Sequence, residues 1–231
     1  MTVAPERTEE KIAAPPAAFG ESRLWPALAL LTFIGLNIGV RVWLPASATI
    51  RVVWLAPTLE VLLLLVLLAS DPVTLRRHRS WLRPVALSLV GLLVLAALYS
   101  TVLLVSDLIR GVGVSNDAGQ LLASGGLVWL GNNLAFALLY WLIDSGGPIT
   151  RSHDPTPVDF AFTQQMSPEI APPGWHPVFL DYLHLGFTNA TAFSPTDVMP
   201  LTHRAKYLML VQSTLALALF GLIVARAVNA F

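Results

Sequence analysis

Apolar residues in this chain do not alternate with polar ones. They gather into five long runs, at about Leu24–Val40, Val52–Ala69, Pro84–Val105, Leu121–Ile143 and Tyr207–Ala225. A helix of about 20 residues is what a hydrocarbon core of about 30 Å requires. The pattern therefore predicts an all-α integral membrane protein with about five transmembrane helices. Pro84 opens the third run at a position where a missing N–H costs a helix nothing. Arg41 and Arg226 end the first and last runs, where their long stems can reach the interface.

The segments between the runs divide the chain further. Residues 1–22 mix charges with Ala and Pro and have no apolar centre, which predicts a disordered N-terminal tail and no secretory signal. Residues 23–143 form a four-helix membrane region. Residues 144–178 are a loop punctuated by SGGP, PTP and APPG, with Phe160, Phe162, Met166 and Trp175 expected to anchor it as a partly ordered cover. Residues 179–231 hold a short amphipathic segment followed by the last apolar run.

That short segment carries the densest polar pattern. Over residues 179–192, Phe179, Leu183, Phe187 and Ala190 share one helical face, while Asp181, His184, Thr188 and Thr191 share another. Fourteen residues cannot cross a bilayer, so the helix is expected to be re-entrant or interfacial. Ser194-Pro195-Thr196-Asp197 follows, with a capping residue, a proline and an acid placed as at a helix start.

Composition and charge sharpen the class. Mean hydropathy is +0.67, 55% of residues are hydrophobic and only 12% are charged, against about 25% charged in soluble chains. The net charge of +0 gives no reason to expect nucleic acid, and membrane lipids are the expected partners. With Cys 0, disulfides, thiolate metal sites and cysteine nucleophiles are excluded. Arginine makes up most of the basic residues, which points to a GC-rich bacterial source, so the membrane that the apolar helices cross is expected to be a bacterial inner membrane. Arg76, Arg77, Arg79 and Arg83 crowd one short loop, a cytoplasmic mark. That places residues 144–203 inside as well and the C-terminus outside.

Glu60 is the one acid well inside a run, and an intramembrane carboxylate is by default a proton- or cation-handling candidate. Asn132 and Asn133 follow Gly125, Gly126 and Gly131, a combination suited to close helix packing. His153-Asp154 has no spaced partner, and His176, His184 and His203 with Asp181 and Asp197 match no metal-ligand spacing. No cofactor, metal or catalytic motif is present, and an enzyme is not expected.

Residues 182–229 resemble the pore helix, filter and inner helix of small bacterial potassium channels. The matching positions are Thr191, Asp197, Val198, Pro200, Thr202, Arg204 and the LIVARAV ending. Where those channels carry TVGYG, this chain has Ala192, Phe193, Ser194, Pro195 and Thr196. Their filter aims backbone carbonyls at the ion and depends on two glycines. Ser194 and Thr196 stand at those positions, with φ fixed at Pro195 between them. The resemblance thus implies a tetrameric, ion-channel-like module without potassium selectivity, with Asp181, His184, Thr188, Thr191, Ser194, Thr196 and Asp197 as pore-loop residues. Such a loop enters from outside, opposite to the arginine bias. The whole chain also resembles a family of uncharacterised bacterial multi-pass membrane proteins, through Asp181–Phe187, Ser194–Asp197 and Arg204. Two further classes remain open: a non-conducting structural or interaction protein, and a proton- or cation-coupled carrier built on Glu60.

Overall fold

The computed structural model describes residues 22–43, 55–69, 82–110, 118–151, 158–191 and 197–228. The 1–21 part of the tail, Arg76, Arg77 and Arg79 of the arginine-rich loop, His153-Asp154, and Ala192, Phe193, Ser194, Pro195 and Thr196 lie outside the described residues, while Arg83 falls in the first turn of the third helix. Within them the chain is mostly helical. Helices α1 (Leu24–Trp43), α2 (Leu55–Ala69), α3 (Leu82–Arg110) and α4 (Ala118–Ile143) come first. Short turns follow as α5 (Pro148–Arg151) and α6 (Thr163–Met166), then α7 (Phe179–Thr191) and α8 (His203–Val228). Two strands, β1 (Phe160–Phe162) and β2 (Val198–Pro200), pair antiparallel, with Ala161 opposite Met199.

Among the described residues three helices are long and apolar enough to cross a membrane: α3 over Arg83–Arg110, α4 with the turn that follows it over Leu121–Gly146, and α8 over His203–Ala225. Helix α1 has 20 residues and α2 has 15. α3 and α8 both run antiparallel to α4. Asn132 of α4 donates to the Thr101 hydroxyl of α3 at 2.8 Å. Gln212 of α8 meets Tyr140 and Asn133 of α4, and Ile223 sits against Gly125 further along. The Gly125 position has no room for a Cβ, which would lie 2.2 Å from Ile223 Cδ1. Small residues here admit the neighbouring helix, and the amides bond across the contact.

At the end of α4 the chain turns sharply. Ser145, Gly146 and Gly147 all have positive φ, of 50°, 76° and 93°. Two glycines make such a turn accessible, whereas Ser145 is a buried residue held in a region that side chains disfavour. The following segment folds back over the loop end of the bundle. Phe160 and Phe162 of β1 are buried against Tyr140 and Tyr182, and Trp175 lies on Phe162. Met166, expected among these anchors, is exposed instead. Pairing of β2 with β1 also makes Val198–Pro200 extended, so the helix start read from Ser194–Asp197 does not follow. The hydrogen bonds of the ladder decide this segment, and local capping signals do not.

Candidate functional site

Helix α7 starts beside the end of α4. The Val178 N–H donates to the Asp181 carboxylate at 2.7 Å, which caps the first turn. Burial pushes the Asp181 carboxyl above its usual range, against the pull of the Val178 N–H and of His184 and His176. From there α7 runs antiparallel to α4. Phe179 lies edge-on to Trp141, Gly186 faces Asn133 and Ala137, and Phe187 lies edge-on to Trp129. With 13 residues the helix is about 20 Å long. It therefore accompanies only part of α4 and α8.

The inward face of α7 is Phe179, Tyr182, Leu185, Gly186 and Asn189. This corrects the predicted apolar face: Phe187 is 47% exposed, and Leu183 is only half-buried. The reason lies across the contact. Gln212 of α8 accepts from the Tyr140 hydroxyl at 2.7 Å and from Asn189 at 2.8 Å. Its own amide donates to the Gly186 carbonyl at 2.9 Å, with Asn133 Oδ1 at 3.4 Å. Asn189 also donates to the Met209 carbonyl at 3.0 Å. A buried amide that ties three helices outweighs the burial of one more phenyl ring, because each of these polar groups is costly without a partner. A Cβ on Gly186 would meet Asn133 O at 3.3 Å, so glycine sets the closeness of α7 to α4.

None of the four predicted polar-face residues belongs to the buried side of α7. His184 and Thr191 are exposed, and Asp181 and Thr188 are half-buried. His184 Nδ1 lies 3.3 Å from the Asp197 carboxylate, so the chain after α7 comes back beside its second turn. Thr188 donates to the His184 and Leu185 carbonyls and Thr191 to the Phe187 carbonyl. Glu60 is buried at 2% exposure on α2, which packs on α1 and α3. Among the described residues no three His, Asp or Glu side chains could hold a metal ion.

Sequence reasoning missed a second group, at the loop end. The buried Asp144 carboxylate accepts from the Asp159 N–H at 2.8 Å, the Phe160 N–H at 3.2 Å and the Tyr182 hydroxyl at 2.5 Å. Arg151 donates to the Asp144 and Trp141 carbonyls, lies 3.9 Å from the Asp144 carboxylate, and sits over the Tyr182 ring. Asp159, also buried, accepts from Thr202 at 2.6 Å and from both arms of Arg204. Two acids thereby tie the loop to α4, α7 and the start of α8. Their polar atoms are saturated by neighbours, so the group works as a clamp and offers no reactive atom. The only sequence signal for it was an acid at the end of an apolar run before Gly-Gly-Pro. No family model, no curated protein and no solved structure matches this chain.

Proposed function

We propose that the chain is a multi-pass protein of a bacterial inner membrane whose C-terminal part is a pore-loop module without potassium selectivity. One observation carries the reading. α7 accompanies α4 and α8 for about half their length, and the chain returns from its tip to Asp197 beside His184. The polar residues Asp181, His184, Thr188 and Thr191 thereby stay off the buried face of α7, half-buried or exposed, with His184 beside Asp197. In a homo-oligomer, four copies of these residues around one axis would line a polar path that admits ions with little discrimination. The loop end shares its side with Arg83, Arg151, Arg204 and Lys206, so the module enters from the cytoplasmic face by the charge rule.

The test is ion flux in proteoliposomes under potassium, sodium and proton gradients, together with the mass of the detergent-solubilised oligomer. The expected result is a tetramer passing potassium and sodium at similar rates. A stable monomer without flux overturns the pore. It would favour a non-conducting scaffold, a reading supported by the Thr188 and Thr191 hydroxyls, which their own helix already satisfies. Sidedness is checked by impermeant thiol labelling of single cysteines placed at Ser152 and Asn229. Labelling of Asn229 alone on intact cells supports cytoplasmic entry.

A further inference from the structure

Beneath the tip of α7 lies a crevice of about 370 Å³ between α4 and α8. Thr191 forms its ceiling, Gly126 and Trp129 one wall, and Ala216, Leu217 and Phe220 the other. The lining is overwhelmingly apolar, and Leu217 and Phe220 are both exposed along it. This inference rests on the membrane reading of α4 and α8, though not on conduction.

Two observations say what enters. Lys206, Leu210, Ser213, Leu217 and Phe220 follow one another at i, i+4, i+7, i+11 and i+14, so they form a single stripe down α8. The lower part of that stripe is the crevice wall. Its upper end is the ammonium of Lys206, exposed in the first turn and without an ion-pair partner among the described residues. Arg204 beside it is already held by Asp159, whereas Lys206 has no carboxylate partner among the described residues and stands at the head of the stripe. Exposed Tyr207 and His203 flank it, as amphipathic side chains do at headgroup level. Ser213 lies about 10 Å below Lys206 along the helix and Ile223 about 25 Å below. Those depths are the hydrocarbon region of the same leaflet and just beyond its midplane.

We propose that the crevice holds one acyl chain of an anionic phospholipid whose phosphate pairs with Lys206. The charge at the top and the apolar wall beneath it fit the two ends of one lipid molecule. The chain would fill the space that the short α7 leaves between α4 and α8, a space that a full-length helix would close.

The experiment is native mass spectrometry of the full chain in detergent with equal phosphatidylglycerol and phosphatidylcholine. The wild-type protein is expected to retain one lipid, with a preference of about fivefold for phosphatidylglycerol from a single lysine at the interface. Lys206→Ala should keep the lipid and lose the preference. Gly126→Leu should lose the lipid of both classes, because a Cβ at Gly126 meets nothing within 4 Å and its side chain projects into open space. Leu217→Trp, at an exposed lining position, repeats the block should the first variant fold poorly. Undiminished retention in the blocked variants, or equal retention of both lipids by the wild type, overturns the site. A protein that holds the lipid yet conducts nothing keeps this site and loses only the pore. A chain that stays in solution without detergent overturns both.

Discussion

Gln212 is the residue whose replacement most directly tests how α7 is held. Gln212→Leu keeps the volume and removes the amide. Four contacts go with it, to Tyr140, Asn189, Gly186 and the longer one to Asn133. Interhelical hydrogen bonds in membranes average about 0.6 kcal/mol each, so their loss alone costs about 2 kcal/mol. The Tyr140 hydroxyl is then a buried donor without its acceptor, which adds roughly 1–2 kcal/mol. Asn189 escapes that penalty, since it still donates to the Met209 carbonyl. The expected destabilisation is therefore about 3–4 kcal/mol. A double-mutant cycle separates the two parts. Tyr140→Phe removes the stranded hydroxyl, so Gln212→Leu in that background should cost about 1–2 kcal/mol less than in the wild type. Reversible unfolding in mixed detergent micelles measures all four corners. A cysteine placed at Leu185, a fully buried position, reports whether α7 lifts away by becoming reactive to thiol reagents. Additivity within about 0.5 kcal/mol would refute the idea that Gln212 joins the helices as one network. So would an unreactive Leu185 cysteine in a strongly destabilised variant.

Other outcomes follow from the same contacts. Gly125→Val should weaken the α4–α8 contact in thermal melts, and Ile223→Ala should restore much of the loss, because Ile223 is the side chain in the way. Arg204→Ala should destabilise more than Asp159→Asn: the first leaves a buried carboxylate with only Thr202, and the second leaves no buried charge. Partial exposure of Arg204 holds the larger effect to about 1–3 kcal/mol, read by the same micelle unfolding. Because the native Asp181 carboxyl is raised, its protonated form favours the fold; that contribution is full below the ordinary value of about pH 4 and is lost as pH rises through the raised native value. Asp181→Asn should thus melt at or above the wild type near neutrality, with the gap closing towards about pH 4; a gap that widens on acidification would contradict the sign. Glu60→Gln should leave any flux unchanged if α7 and α8 form the path, and abolish it if α2 carries the coupling.

The apolar runs could be located from the chain alone, because hydrocarbon thickness sets helix length and composition then reports it directly. The brevity of α7 was legible for the same reason, as was the use of Gly125, Gly131 and Asn132 at helix contacts. Which way α7 faces was not. Its inward side is chosen by Gln212, 23 residues downstream of Asn189, and by the closeness that Gly186 permits to Asn133. Periodicity counts apolar residues and so favoured Phe187, while the fold buries a saturated amide network. The strand at Val198–Pro200 likewise depends on partners at Phe160–Phe162, and so overrides the local signal for a helix start. Asp144 and Asp159 fall within the predicted loop, and only folding brings Tyr182 and Arg204 to them from 38 and 45 residues away. Local pattern reports the solvent each segment requires. Contacts between distant polar groups exist only once the helices have met, and those contacts decided the orientation of α7 and the shape of the loop end.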